Sequence, residues 1–348
     1  MRSIASVFLG KPVHHRLRVR LKFLTATLLA MLSFGTIAHH AGARETWAQR
    51  LGYPADRPVL ILNAEGMGMC YEVNAAGKKN LEQGRVQSVA VMPPCPWFGD
   101  FADWIRKQDN VDVGLLITLN SPWHRYRWPV LSERSKAPGL VDPDGYAWSS
   151  VLQVALNATP EEVEQEIRAQ IDRARAAGIR PTHLKTYLGA LVARADFFGA
   201  YLKVARENWL PAGIVELTPE LVDRFRRQGF PLDDALIEMV NNYPLPKLDD
   251  LRFVPVAESY ELKRDATVTM LKALKPGLTE ILFLPAVQSD ALKHMTDEWQ
   301  QYVWEDKLLS DDKVQATLKE IGAVFTSWRE IMQRFDGRGG KTSGDTNP

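Results

Sequence analysis

One short stretch, VLILNAEGMGMCYEVN at residues 59–74, constrains what this chain of 348 residues can fold into. Residues 59–62 are almost purely apolar with polar residues on both sides, which is typical of a parallel strand buried on both faces. Residues 63–66 break the apolar run where such a strand would end, and from Cys70 the apolar spacing becomes helical until Gly84. A strand, a polar turn and a helix predict the opening unit of an α/β fold, in which ligand chemistry lies at the carboxyl ends of the strands.

Residues 1–43 have the composition of an export signal. They contain six of the 43 basic residues and none of the 42 acidic ones, an apolar run at 23–38, and the small-x-small pattern Ala41-Gly42-Ala43. The apolar run is short for a membrane span. We therefore predict a signal peptide over 1–43, cleavage near Ala43 and a periplasmic protein, with an uncleaved leader that anchors the protein to the membrane as the alternative. The rest of the chain has 37 basic and 42 acidic residues, a net charge near −5 that gives no indication of nucleic-acid binding.

Beyond the first unit, apolar runs of strand character alternate with segments of helical spacing. Strands are predicted at 59–62, 86–92, 111–119, 182–187, 254–256 and 279–284, an extended segment at 213–216, and a core-closing segment at 325–328. Helices are predicted from 70 to 83 and at 98–108, 160–178, 195–207, 218–228, 259–274, 289–308 and 311–322. About seven such units favour a single-domain, irregular TIM-like (β/α) barrel over residues 44–335, with an open doubly wound sheet as the alternative.

Two segments fall outside this alternation. Residues 120–158 are too long for an ordinary connection and predict a functional insert on the barrel rim. Residues 336–348 have the composition of a disordered tail. No glycine-rich phosphate loop follows any predicted strand, so nucleotide binding has no support.

The only two cysteines, Cys70 and Cys95, follow the first two predicted strands. If the fold is a barrel, both lie in neighbouring loops on one rim, and export would place them in an oxidising compartment. A disulfide between them would close a loop of about 26 residues, a constraint that the chain-entropy estimate values at roughly 3–4 kcal/mol. Two buried thiols are the equally weighted alternative.

Further motifs accompany the first stretch in a fixed order. They are Pro94-Cys95-Pro96-Trp97, the Trp123…Tyr126-Arg127-Trp128 segment, Asp144-Gly145-Tyr146 and Gly277-Leu278-Thr279-Glu280-Ile281. Together they resemble the YdjC-like (ChbG/HpnK) family of carbohydrate deacetylases over roughly residues 59–331. The resemblance implies a barrel of the glycoside hydrolase/deacetylase type and a metal-dependent deacetylase with one Asp and two His as ligands.

This chain departs from the family pattern at the positions that carry chemistry. The resemblance places the three metal-ligand positions at Gly66, Leu116 and Tyr187. It places the catalytic base at Glu65, the Asp that supports the base at Lys185, and the general acid at Leu284. Outside the leader only His124, His183 and His294 remain, whereas a catalytic zinc site needs about three N, O or S ligands. We therefore predict no metal and no other cofactor, and we interpret His183 as a buried structural histidine.

Glu65, Lys185 and Tyr187 are the candidate catalytic residues of the altered pocket. Glu65 and Lys185 end strands that converge on one mouth, and Tyr187 is large enough to fill the space of a lost ion. The preferred interpretation is a filled, salt-bridged former active site. The other interpretation has Glu65 as a base and Lys185 or Tyr187 as an electrophile in metal-free chemistry.

Aromatic residues interleaved with polar donors are the better indication of function. Aromatic faces stack on sugar rings while neighbouring polar groups bond the hydroxyls. The candidate substrate-binding residues are Trp97, Trp123, Tyr126, Arg127 and Trp128, although some of them could simply anchor the rim insert, and we expect about half of the aromatic residues to be core. The hypothesis is an exported, degenerate family member that binds a carbohydrate, another small polar ligand or an envelope protein. The alternative is an active deacetylase of N-acetylated sugars.

Overall fold

The computed structural model describes residues 44–339, except 228, 230 and 231. The predicted signal peptide and residues 340–348 of the predicted tail lie outside the described residues. The last helix reaches Gly339, so residues 336–339 of that tail are helical. Within the described part of the chain, no helix is both long and apolar enough to cross a membrane.

The described chain alternates strands and helices. The strands are β1 (Pro58–Met67), β2 (Ser88–Val91), β3 (Val113–Ile117), β4 (Leu184–Thr186), β5 (Asp250–Phe253), β6 (Gly277–Phe283) and β7 (Val324–Phe325). The helices are α1 (Trp47–Arg50), α2 (Tyr71–Glu82), α3 (Phe98–Ile105), α4 (Val151–Asn157), α5 (Pro160–Ala176), α6 (Ala195–Glu207), α7 (Pro219–Arg227), α8 (Asp234–Asn242), α9 (Tyr260–Lys272), α10 (Asp290–Met295), α11 (Trp299–Leu308), α12 (Asp312–Glu320) and α13 (Trp328–Gly339). Short 3₁₀ segments lie at Pro138–Leu140 and Tyr187–Val192.

These seven strands form one parallel sheet in the order β4–β3–β2–β1–β6–β5, with β7 paired to the start of β1. β1 is central, and its side chains are buried except for the half-buried Glu65. Asn63 of β1 is opposite Ser88 of β2, and Pro58 is opposite Gly277 of β6. The buried parallel strand predicted from the apolar run at 59–62 is therefore confirmed.

Segment 211–216 links the two edges of the curled sheet. The Leu184 amide donates to the Pro211 carbonyl, and Val215 bridges Leu248 in parallel, two residues before β5. Gly213 permits this approach, because a Cβ at its φ of +56° would lie 2.7 Å from the Leu184 oxygen. The curled parallel sheet with surrounding helices confirms the barrel-like α/β prediction, and the predicted extended segment at 213–216 is present as a bridge.

Several predicted boundaries are wrong. β1 continues through Glu65 to Met67 with a register shift against β2, so residues 63–66 do not end the strand. The strand predicted at 254–256 instead lies at Asp250–Phe253, where an alternation of charged and apolar residues on a part-exposed strand obscures the pattern. The helix predicted at 289–308 is two helices interrupted at 296–298, and α8 was not predicted. The strand predicted at 182–187 is assigned only at Leu184–Thr186 and ends where Tyr187 begins a 3₁₀ turn, although Thr182 and His183 already bond to the backbone of β3.

The rim insert is ordered by contacts with α5. Thr159 caps this helix, since its Oγ1 accepts from the Glu162 amide at 3.3 Å and Glu162 Oε2 accepts from the Thr159 amide at 2.7 Å. Glu166, buried on the same helix, accepts from the amides of Leu131 and Ser132. These bonds hold the insert, which also contains α4, against the carboxyl side of the sheet.

Candidate functional site

The side chains of Glu65, Lys185 and Glu280 meet inside the barrel. Lys185 Nζ lies 2.5 Å from Glu280 Oε2 and 3.2 Å from Glu65 Oε1. Glu280 has no exposed side-chain surface, Lys185 has 5% and Glu65 has 18%. One ammonium therefore lies between two carboxylates, in surroundings where water screens their attraction poorly.

Glu280 is the most completely bonded member of this cluster. Its Oε1 accepts from Asn63 Nδ2 at 2.7 Å and from Trp328 Nε1 at 3.2 Å. Burial raises the pKa of Glu280, but the Lys185 charge, the His183 ring and the hydrogen bonds lower it by more, so the pKa lies below its ordinary value. Glu280 is a site residue that the sequence analysis missed. The available signal was an acidic residue inside the otherwise apolar run TEILFL.

Glu65 has the opposite environment. Burial is the largest influence and raises its pKa, Lys185 lowers it by less, and the Glu280 charge adds to the increase. Apart from the Lys185 ammonium at 3.2 Å, Glu65 Oε1 has no polar partner among the described residues. The Lys185 ammonium and the hydrogen bonds thus outweigh the effect of burial on the pKa of Glu280, whereas at Glu65 burial outweighs the ammonium.

Tyr187 is buried close to Glu65. Its side chain is 3% exposed, and its ring contacts the Trp128 ring edge-on with centroids 6.2 Å apart. Burial raises the pKa of Tyr187, and nearby Glu65 adds to the increase, so the phenol keeps its proton. Its hydroxyl is buried without a hydrogen-bond partner in the described structure. The structure therefore brings together all three predicted catalytic residues, Glu65, Lys185 and Tyr187.

The predicted aromatic residues divide between core and surface. Trp128 has no exposed surface and donates through Nε1 to the Asn120 carbonyl, so it anchors the insert and offers no surface to a ligand. Trp123 is 9% exposed and packs on Trp128, while the half-buried Tyr126 donates to the Met69 carbonyl at 2.8 Å.

Two exposed aromatic rings lie at the carboxyl end of the sheet. Trp97 is 38% exposed, and Tyr71, which the sequence analysis did not select, is 53% exposed. Their rings meet edge-to-face with centroids 5.4 Å apart. Tyr71 starts α2 directly after β1, and Trp97 precedes α3 after β2, which places both at the carboxyl ends of the strands. Arg127 is committed to an ion pair with Asp142 at 2.7 Å and lies over the Tyr146 ring.

The model of the YdjC-like protein family matches residues 59–320. The chain belongs to this family. Carbohydrate deacetylase from Thermus thermophilus is 28% identical over 286 residues, covering 82% of this chain and 97% of the relative. Carbohydrate deacetylase from Enterococcus faecalis is 29% identical over 280 residues, covering 78% and 97%.

A solved structure shares the fold. It is an Enterococcus faecalis protein assigned provisionally to cellobiose-phosphate cleavage, with a TM-score of 0.66 and 21% identity, covering 79% of this chain and 99% of that chain. The YdjC-like barrel is therefore the architecture of nearly all the described residues.

The three residues that the resemblance places at metal-ligand positions, Gly66, Leu116 and Tyr187, do not fit a metal ion. Gly66 and Leu116 have no ligand atom in their side chains, and the described residues contain no group of three or more His, Cys, Asp or Glu that could hold one. A Cβ on Gly66 would lie 2.6 Å from Leu284 Cδ1, at a φ of +87° that other residues rarely adopt. The space next to Gly66 is thus filled by the Leu284 side chain.

The histidines do not assemble a site either. His124 and His294 are exposed, and His183 is completely buried. His183 Nδ1 lies 3.0 Å from Thr182 Oγ1 and 3.5 Å from Asp112 Oδ1, and its ring stacks on Trp328. This packing agrees with the interpretation of His183 as a structural residue.

Proposed function

We propose that this protein is an exported YdjC-like protein without a catalytic metal, which binds a carbohydrate in the groove where its relatives deacetylate theirs. The observation that carries the proposal is the Lys185 ammonium between Glu65 and Glu280. An ammonium at this point already neutralises the carboxylates that would attract a divalent cation, and a second cation there would be repelled.

The groups around this ion pair support the same conclusion. Leu284 fills the space next to Gly66, and Tyr187 fills the third ligand position with a neutral phenol. Leu116 is buried and apolar. A metal would need at least two of these side chains replaced before it had a tetrahedral set of ligands.

The exposed pair Tyr71 and Trp97 supports carbohydrate as the ligand. Edge-to-face rings at the carboxyl ends of the strands offer an apolar face for a pyranose, and the part-exposed Glu65 carboxylate can accept from its hydroxyls. The relatives named carbohydrate deacetylase point to the same ligand class. An envelope protein is the other candidate occupant, but no contact favours it over a saccharide.

The test uses residues 44–348 and three measurements. Elemental analysis after soaking in Zn²⁺, Mg²⁺ and Ni²⁺ and desalting should find no stoichiometric metal, and N,N′-diacetylchitobiose should release no acetate. Titration calorimetry with N,N′-diacetylchitobiose and cellobiose should detect binding that Trp97→Ala weakens at least tenfold. Trp209→Ala is the matched control, because Trp209 is 53% exposed but follows α6, at the opposite end of the barrel. Bound metal, or binding that Trp97→Ala leaves unchanged, would overturn the proposal.

Glu65 favours one second candidate, a metal-free deacetylase. Its raised pKa makes it a stronger base than an ordinary carboxylate, and its part-exposed carboxyl can reach a bound substrate. Acetate release from N,N′-diacetylchitobiose by the metal-free protein, abolished in Glu65→Gln, would establish this activity in place of pure binding.

Export is proposed from the leader alone. Fractionation of expressing cells should recover the protein in the periplasm, and sequencing its N-terminus should give Arg44 as the first residue. Retention in the membrane fraction with residue 1 intact would instead support an anchored protein.

A further inference from the structure

Cys70 and Cys95 lie in adjoining loops at the carboxyl end of the barrel. Cys70 is the residue before α2, and Cys95 lies in the turn between β2 and α3. Both side chains are buried, at 0% and 4% exposure, and both are free thiols in the structure. Neither thiol takes part in the cluster formed by Glu65, Lys185 and Glu280.

The backbone holds these two loops against each other. The Met92 amide donates to the Met67 carbonyl at 2.7 Å, and the Trp97 amide donates to the Gly68 carbonyl at 2.9 Å. Gly68 approaches so closely that a Cβ on it would lie 3.1 Å from the Met92 oxygen. Cys70 is two residues after Gly68 in the first loop, and Cys95 lies between Met92 and Trp97 in the second. Each cysteine is therefore close in sequence to the contact between the two loops.

Burial explains how the thiols behave once the protein has folded. It raises the pKa of Cys70 to about 12 and that of Cys95 well above its ordinary value, and the Cys70 charge adds to the increase at Cys95. Because the thiolate is the reactive form, folded reduced protein should react slowly with oxidants. A bond between the two sulfurs would have to form while the loops are still open, and folding would then shield it from reductants.

We propose that Cys70 and Cys95 form a disulfide when the chain folds in an oxidising compartment, a proposal that rests on the proposed export. In thiol–disulfide exchange, the first cysteine thiolate attacks a disulfide of an oxidoreductase or of oxidised glutathione and releases one thiol. The second cysteine then displaces the other half of that reagent. The two cysteines lose two electrons and two protons in total, and the reagent is reduced to two thiols.

The position of this bond ties it to the proposed ligand surface. Tyr71 follows Cys70 directly, and Trp97 is two residues after Cys95. A covalent link between the loops fixes the edge-to-face pair of Tyr71 and Trp97 before a ligand arrives. The disulfide therefore pre-organises the proposed sugar-binding surface and reduces the ordering cost of binding.

The experiment is refolding of residues 44–348 from denaturant with reduced and oxidised glutathione, followed by denaturation in iodoacetamide and mass measurement. The expected product is 2 Da lighter than the reduced chain and carries no alkyl group, and a peptide that links Cys70 to Cys95 should appear after digestion. Tris(2-carboxyethyl)phosphine should reduce it only when denaturant is added. Two alkylated cysteines after refolding would overturn the inference, whatever the compartment of the protein.

Variants separate this inference from the proposed function. Cys70→Ser/Cys95→Ser keeps two small polar side chains, and it should bind N,N′-diacetylchitobiose severalfold more weakly than the oxidised protein. Reductant should no longer change its melting temperature. Equal binding by the double variant would overturn the pre-organisation while leaving carbohydrate binding intact. If the double variant does not fold, oxidised and fully reduced wild-type protein supply the same comparison.

Discussion

Lys185→Met is the sharpest test of the ion-pair cluster, because it removes the only cation that contacts Glu280 in the described structure while keeping a side chain of similar length. At the 2.5 Å separation of Lys185 Nζ from Glu280 Oε2, an effective dielectric constant of about 20 gives an attraction of about 6–7 kcal/mol. Part of this attraction only offsets the burial of the ammonium. We therefore expect the free energy of unfolding to fall by about 3–5 kcal/mol, as when one partner of a buried pair is removed.

Urea unfolding at pH 7 with an unchanged m-value measures this loss. Lys272→Met is the matched control, since Lys272 and Glu320 form an exposed pair at 3.0 Å whose loss should cost less than about 1 kcal/mol. Lys185→Met/Glu280→Gln should recover much of the loss, because the Gln oxygen can still accept from Asn63 and Trp328. A loss no greater than that of Lys272→Met, or additive losses in the double variant, would refute the reasoning.

The pH dependence of Lys185→Met has a defined sign. Without the ammonium, burial raises the pKa of Glu280 above its unfolded value of about 4.3. The folded variant then binds more protons than the unfolded chain, so its stability should fall as the pH rises. The difference in unfolding free energy between wild type and Lys185→Met should therefore be smaller at pH 5 than at pH 7.

Two further variants test neighbouring residues. The folded pKa of Glu65 is raised, so the stability of the wild-type protein should decline as the pH rises from the unfolded pKa of about 4.3 through the folded pKa. Glu65→Gln should flatten this part of the curve of unfolding free energy against pH. Parallel curves for the two proteins would contradict the raised pKa. Gly66→Ala should lower the free energy of unfolding by about 1–3 kcal/mol, because Gly66 has a φ of +87° and the new Cβ would meet Leu284 Cδ1. The control is Gly337→Ala in α13, where a Cβ meets open space and should cost no stability. Equal urea midpoints for the two variants would contradict the close packing at Gly66.

The sequence predicted the sheet well where strands are uniformly apolar. β1 was recognised from its first apolar residues, but its second half was missed because Asn63 and Glu65 look like a turn. They are strand residues whose polar side chains meet Glu280 and Lys185 in the barrel interior. Polar residues that face the barrel interior interrupt the apolar pattern by which a strand is recognised. The residues of the candidate site are therefore difficult to assign to strands from the sequence.

The candidate site was predictable in part. Glu65 and Lys185 were paired correctly because both lie near the carboxyl ends of strands in one parallel sheet. Glu280 was not found, because it lies in the middle of a buried strand and not near a carboxyl end, where site residues are expected. The burial of Trp128 was equally invisible, because an indole that anchors an insert and one that binds a sugar share the same sequence context.

On the proposal that this protein has no catalytic metal, the position of Leu284 beside Gly66 limits how single substitutions could introduce one. An aspartate that appeared first at position 66 would meet Leu284 and a strained backbone without gaining the other ligands. A smaller residue that appeared first at 284 would leave a cavity, which itself costs stability. Each of these single substitutions is therefore disadvantageous by itself, and mutation and selection acting one residue at a time preserve the present packing.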